Sequence, residues 1–287
     1  MPGSGVRKSS ARSPGARPAS GGPSWLRPDW PAPEGVRAVF TLRGGGVSVG
    51  SCASLNVGAQ VDDDPGAVAE NRRRIADTFD LPTEPAWLTQ VHGNRVIRLE
   101  SGTATQGRAG VGAVAADAAV TRVAGQVCVI QVADCLPVLF AARDGSVVGA
   151  AHAGWRGLAA GVLENTIAAL GVPPSQLLAW IGPGIGQANF EVGPEVREAL
   201  VGAAGAGVAG AGVAGEKAAA AAQAAFVRNA RGRWQCDLAA LARQRLTGMG
   251  LTAVHGGRWC TFAESDNFFS HRRDGRSGRM AALIWLA

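Results

Sequence analysis

Three side chains in this sequence have the types and settings to do chemistry together. His92 and His152 each close an apolar run, with a glycine one or two residues further on (Gly93, Gly154). Cys135 stands in a similar place, after the run VCVIQVAD and two residues before Pro137. At such points a chain leaves its packed sheet, and α/β folds place reactive groups there. One thiolate and two imidazoles form a donor set for zinc, with a fourth position left for water, phosphate or substrate. The separations, 43 and then 17 residues, are not diagnostic. The same residues also read as a buried small hydrophobe beside two hydrogen-bonded loop histidines. In another reading, Cys135 is a metal-free nucleophile activated by His152.

The elements that must position these groups alternate between strand and helix patterns. Val36–Arg43 reads as a strand followed by a glycine-rich loop, Gly44–Ser48. Asp64 caps a helix with Pro65 in its first turn, ending before Pro82. Ala86–Glu100 reads as a strand broken at His92-Gly93, and Gly125–Ala141 as a strand broken near Asp134-Cys135-Leu136-Pro137. Ser146–Gly154 is a short apolar strand, and the segment from Trp155 to Gly171 has helical periodicity. Leu177–Gly186 is a strand and loop. Pro194 opens a helix, and a further helix behind Asp237 places Leu238, Leu241, Ala242 and Leu246 on one face. The last seven residues, AALIWLA, form a final strand. This alternation implies an α/β class with a mixed sheet in a single domain.

Composition narrows the function classes. A chain of 287 residues with 47% hydrophobic content can bury a sizeable core. Its net charge of +6 is concentrated in residues 1–28, which hold five basic and no acidic groups. The remaining 23 basic and 22 acidic residues nearly cancel, which argues against a nucleic-acid-binding face. Residues 1–34 read as a disordered, basic Pro/Gly/Ser-rich tail, and residues 35–287 as the catalytic domain. The Ala/Gly-rich stretch 201–225 reads as a variable or partly disordered insertion. No signal-peptide core or membrane-length apolar run is visible, so a cytoplasmic protein with no membrane partner is expected, as a monomer or small homo-oligomer. Five widely spaced cysteines without a C-x-x-C pair fit reduced thiols.

Five motifs occur together: QVHG (90–93), ADCLPV (133–138), HAGWRG (152–157), IGPGIG followed by FEVG (190–193), and CT through FFSHRRDGRSGR (260–279). In this order and spacing the chain, from about residue 36 to 287, resembles the laccase-domain family, the YfiH-type purine nucleoside phosphorylases, also named polyphenol oxidases. The resemblance implies a four-layer α/β/β/α sandwich and a catalytic zinc bound by His92, Cys135 and His152. It also implies phosphorolysis of purine nucleosides, adenosine above all and also inosine, guanosine or methylthioadenosine, with adenosine deamination as a companion activity. Copper is the less favoured metal: a multicopper oxidase needs many imidazoles, and this chain has four histidines and no His-x-His pair.

A nucleoside and phosphate as partners call for further groups. Phosphate requires cationic or amide donors, for which Arg43, Arg156 and Arg272 or Arg273 are the candidates, each also readable as a surface ion pair. Asp134, next to a ligand, reads as an acid/base or orienting group, or as the cap of the following turn. Asn56 is a candidate for base or sugar contact, or a turn residue. Trp155 and Phe268 or Phe269 read as stacking rings or as core. Gly182, Gly184 and Gly186 lack the residues of a phosphate loop and read as a tight turn shaping the pocket wall. His271 departs from the family pattern, where tyrosine is frequent. Two other function classes stay open: a cysteine- or zinc-dependent hydrolase editing cell-wall peptidoglycan precursors, an activity also ascribed to some relatives, and a non-enzymatic metal-binding partner protein.

Overall fold

The computed structural model describes residues 22–101, 114–206 and 213–287. The chain begins with β1 (Trp25–Leu26), β2 (Val36–Thr41), α1 (Pro65–Phe79), β3 (Val96–Leu99), β4 (Ala118–Thr121) and β5 (Cys128–Val132). It continues through β6 (Leu136–Ala142), β7 (Val148–Ala153), α2 (Trp155–Ala159), α3 (Val162–Leu170), β8 (Leu177–Ile181), β9 (Glu191–Val192) and α4 (Pro194–Ala206). The last elements are α5 (Val213–Ala224), β10 (Phe226–Arg228), β11 (Trp234–Cys236), α6 (Leu238–Gly248), β12 (Ala253–Gly256), α7 (His271–Asp274) and β13 (Met280–Leu286).

Two sheets carry the fold. One is antiparallel, in the order β1-β2-β13-β5; the other is mixed, in the order β12-β8-β6-β7-β4-β3, with β12/β8 and β3/β4 parallel. The period of two along each strand assigns alternate side chains to different apolar layers. In β13, Met280, Ala282, Ile284 and Leu286 face the second sheet, where they meet Leu139 and Ala141 of β6. The intervening Ala281, Leu283 and Trp285 pack with Ile75 of α1. On the far side of β6, Leu136, Val138 and Phe140 pack with residues of α3, α4 and α6. Three apolar layers between four structural layers make an α/β/β/α sandwich in one domain. β9, β11 and β10 form a small separate antiparallel sheet.

Local signals explain the helices that position this frame. Asp64 accepts a hydrogen bond from the Ala67 amide at the start of α1, and Asp237 does the same for Ala240 in α6. Leu238, Leu241, Ala242 and Leu246 are buried as one stripe.

Several boundaries differ from the sequence reading. The tail ends earlier than residue 34: Trp25 and Leu26 pair with Thr41 and Phe40, and the Asp29 carboxylate accepts from Trp180 Nε1 at 3.0 Å. Residues 1–21 lie outside the described residues. Of the Ala/Gly-rich stretch 201–225, read as a variable or partly disordered insertion, the described parts are helical: α4 and α5 pack together with Ala222 and Ala225 buried, and small side chains permit that close approach. Residues 207–212 lie outside the described residues. The single helix expected from Trp155 to Gly171 is two, parted at Gly161, whose φ of 87° is open to glycine. Ala86–Glu100 is strand only at Val96–Leu99, with isolated bridges at Ala86 and Thr89. All five cysteines are free thiols. Among the described residues no helix is long and apolar enough to cross a membrane.

Candidate metal centre

Sheet topology alone gathers the three candidate ligands. β6 and β7 are antiparallel with Pro137 opposite His152, so Cys135, just before β6, lies beside the end of β7. β7 is antiparallel to β4 with Ala151 opposite Ala118, and β4 is parallel to β3 with Ala118 beside Val96. The starts of β6, β4 and β3 and the end of β7 therefore share one edge of the sheet. The ligand atoms of His92, Cys135 and His152 all lie within 4.8 Å of one another there. These are the residues that would hold one ion, since atoms so close together need only small side-chain adjustments to share it. The two imidazole rings meet edge to face, with centroids 4.8 Å apart. His152 is buried and His92 exposed, so the centre opens outward from a fixed wall.

Two turns make this possible. The run from Gly125 to Ala141, which reads as one interrupted strand, is two strands in two sheets: β5 pairs with β13, β6 with β7 and β8. Asp134 sits at the crossing with φ of 88°, a conformation costing a non-glycine residue about 1–3 kcal/mol. Its carboxylate accepts from Thr261 Oγ1 and from the Arg272 amide, both at 2.6 Å, so both oxygens are spent on anchoring the C-terminal segment. Asp134 lines the cavity while serving as a brace.

The second turn carries His92, also at positive φ (60°), and depends on a residue absent from the sequence reading, Asp117. This carboxylate is fully buried. Its Oδ1 accepts from the His92 amide at 2.9 Å and lies 2.8 Å from His152 Nδ1; its Oδ2 accepts from the amides of Val91 (3.2 Å) and Gly93 (2.7 Å). One anion thus holds both histidine segments. Because Nδ1 of His152 faces Asp117, Nε2 is left for a metal. The signal was present in the sequence as a lone acidic residue inside the small apolar run AADAAV.

Electrostatics favour a thiolate. Burial by itself raises the Cys135 thiol, but the charge of His152 and hydrogen bonds from both imidazoles override it and bring the pKa down to about 6. Burial likewise opposes charge on His152, yet the Cys135 thiolate and Asp117 raise it. An environment that stabilises a thiolate against imidazolium also stabilises it against a metal cation. Gly154 leaves the room: a Cβ there would lie 2.7 Å from Cys135 Sγ and 3.2 Å from His92 Cδ2.

The centre lies in a cavity of about 460 Å³ whose wall includes Gln90, Trp155, Arg156, His271, Arg272 and Arg279. The other expected binding residues fall elsewhere. Arg43 donates to the carbonyls of Ala53 and Ser265 and lies over Phe269. Arg273 donates to the carbonyls of Thr261, Phe262 and Phe268 and pairs with Asp274. Asn56 is fully buried between Asp63 Oδ2, Gly58 and the Arg279 amide. Phe268 and Phe269 belong to the layer between the sheets and do not line the cavity. These five residues are of types that suit a ligand, but each is taken up by hydrogen bonds within the protein or by the core. The GPGIG turn shapes the wall: a Cβ at Gly184 would lie 2.4 Å from Leu136 Cδ2, and Ile185 faces the cavity.

These features define a mixed α/β protein with a cysteine–histidine centre at a sheet edge. The chain belongs to the laccase-domain family, described as multi-copper polyphenol oxidoreductase laccase, which matches residues 37–287. The purine nucleoside phosphorylase PA4543 of Pseudomonas aeruginosa is 50% identical over 264 residues, covering 92% of this chain and 98% of that protein. The purine nucleoside phosphorylase YfiH of Escherichia coli is 45% identical, covering 90% and 97%. The crystal structure of NMB0706 from Neisseria meningitidis superposes with a TM-score of 0.79 at 44% identity, covering 91% and 98%. The donor set does not suit several coppers: among the described residues one group of three could hold an ion, whereas a multicopper site draws on many imidazoles.

Proposed function

We propose that this chain is a zinc-dependent purine nucleoside phosphorylase that converts adenosine and phosphate to adenine and ribose 1-phosphate. The observation that carries the reading is the thiolate–imidazole centre set in the wall of a nucleoside-sized cavity together with three arginines, Arg156, Arg272 and Arg279. The naming of the Pseudomonas and Escherichia relatives agrees with it. One soft sulfur and two nitrogens suit zinc, and three protein ligands leave the open position of a catalytic site. Bound zinc would supply Lewis acidity at that position.

In the reaction an oxygen of phosphate bonds to C1′ of the ribose as the C1′–N9 bond breaks, and the purine leaves with the electron pair and takes up a proton. The chain's own contributions are positional and electrostatic. Asp117 fixes the two histidine segments. The arginines draw the phosphate anion into a partly closed space. Trp155 and Phe190 give the wall aromatic surface, each with a guanidinium over its ring, Arg156 at 4.4 Å and Arg272 at 5.3 Å.

Chromatography of products after incubation with adenosine, with and without phosphate, tests the proposal. Adenine formed only with phosphate is the expected result. Inosine in both samples would replace this reading with adenosine deamination. Turnover that survives chelation and is lost on thiol alkylation would favour a Cys135 nucleophile and a hydrolase acting on cell-wall precursors instead.

A further inference from the structure

We propose that Arg279 is the phosphate anchor of this cavity, the guanidinium on which the anionic co-substrate is held. The inference rests on the phosphorylase reading for the identity of the anion, and on the following observations for the site. Arg279 is half-buried, immediately before β13, and shares the cavity wall with Cys135 and His152. Among the described residues it makes no ion pair, unlike Arg276, which pairs with Asp62, or Arg258, which pairs with Asp29. A guanidinium partly withdrawn from water and held in no salt bridge has lost hydration that direct contact with an entering anion replaces.

The side chain is also held in place. Its Nη1 donates to the carbonyls of Ser277 (2.8 Å) and Gly278 (3.1 Å), and lies 3.4 Å from Ser277 Oγ. Its amide donates to Asn56 Oδ1 at 2.8 Å. Its stem lies against Gly58, where a Cβ would come within 2.7 Å of Cγ. Fixing one edge of a guanidinium this way leaves its orientation set before the ligand arrives, which lowers the entropy cost of binding. Burial depresses its pKa, while the nearby Cys135 and Asp134 favour the charge. The alternatives are less suited. Arg43 and Arg273 are consumed by carbonyls, and Arg156 and Arg272 are exposed and laid over rings, with Arg272 Nη1 given to the Glu191 carbonyl. Asn56, expected to touch substrate, instead holds the residue that does.

The test is calorimetric binding of inorganic phosphate to the zinc-loaded protein, followed by steady-state kinetics. Arg279→Met should weaken phosphate binding about ten- to one-hundred-fold, the loss expected of a charged hydrogen-bonding partner. It should raise KM for phosphate alike and leave KM for adenosine within about twofold. Arg279→Lys, which keeps the charge and loses the fork, should recover part of the affinity. Gly58→Ala, which keeps the guanidinium and crowds its stem, should weaken phosphate in the same direction. Equal effects of Arg279→Met on phosphate and adenosine, or phosphate binding unchanged in a folded variant, would overturn the assignment. Because phosphate binding needs no turnover, wild-type binding that is lost in Arg279→Met upholds the anchor even if no adenine is formed, in which case only the phosphorylase reading fails.

Discussion

Replacing Asp117 by asparagine keeps the shape of a fully buried side chain and exchanges one acceptor oxygen for a donor amide. The carboxylate receives two amides on Oδ2 and one amide plus His152 Nδ1 on Oδ1. If the asparagine oxygen stays beside His152, its NH₂ faces the amides of Val91 and Gly93, leaving two part-buried donors opposed by a donor, at up to about 1–3 kcal/mol each. If it turns the other way, its NH₂ faces His152 Nδ1, which must then accept, so Nε2 carries the proton and cannot bind a metal. The first orientation predicts up to about 2–6 kcal/mol lost from the metal-free protein, read by urea unfolding. Both predict metal affinity lower by about ten- to one-hundred-fold, read by competition with a chelator. Cobalt substitution adds a signature that a purely structural role would not move, since the visible bands of the ion report ligand geometry. An Asp117→Asn protein with unchanged unfolding midpoint and unchanged metal affinity would refute the assignment of this carboxylate as the common support of His92 and His152.

Other consequences can be checked separately. Gly154→Ala, whose methyl would stand 2.7 Å from Cys135 Sγ, should fold and yet bind markedly less than one metal per chain by elemental analysis. In metal-free protein, alkylation of Cys135 should be near its plateau at pH 7 and fall about tenfold per unit below its pKa of about 6, whereas bound metal should protect it. The stability linkage of this pair has opposing signs. The depressed Cys135 makes stability rise with pH between about 6 and 9, and the raised His152, at about 9, makes it fall between about 6.5 and 9. Folding thus moves a proton from sulfur to nitrogen with little net uptake, and the unfolding free energy of the metal-free protein should be nearly flat across that window on this account. Phe269→Ala should cost about 3–5 kcal/mol in denaturant unfolding while leaving KM for adenosine unchanged, because the ring lies between the sheets.

That His92, Cys135 and His152 could act together was legible because strand ends beside glycine are chemically distinctive even without a diagnostic spacing, and the fold brings the three together. The helices behind Asp64 and Asp237 were legible because caps act locally. What the sequence hides is allegiance. Cys128–Val132 and Leu136–Ala142 are both apolar runs, and hydrophobicity says that each is buried without saying in which sheet. Arg156 and Arg272 do line the cavity, but Arg43, Arg273 and Arg279 are alike as residue types, and only packing reveals which donors are already taken by carbonyls. By type Asn56 suits either a ligand or a turn and Phe269 either a stacked base or the core, and position places both in the scaffold.

The passage of the chain from one sheet to the other at Asp134-Cys135 has a mechanical consequence. The Cys135 sulfur rides on the hinge between two slabs whose seating is set by Ile130, Leu139, Phe40 and their neighbours, while His152 lies within β7 of one slab. Any slippage or swelling of the interior therefore reaches the centre as a displacement of sulfur relative to nitrogen. Repacking substitutions far from the cavity, such as Leu139→Val, should accordingly alter the cobalt spectrum before they alter the global unfolding midpoint, making the metal a strain reporter for the whole sandwich.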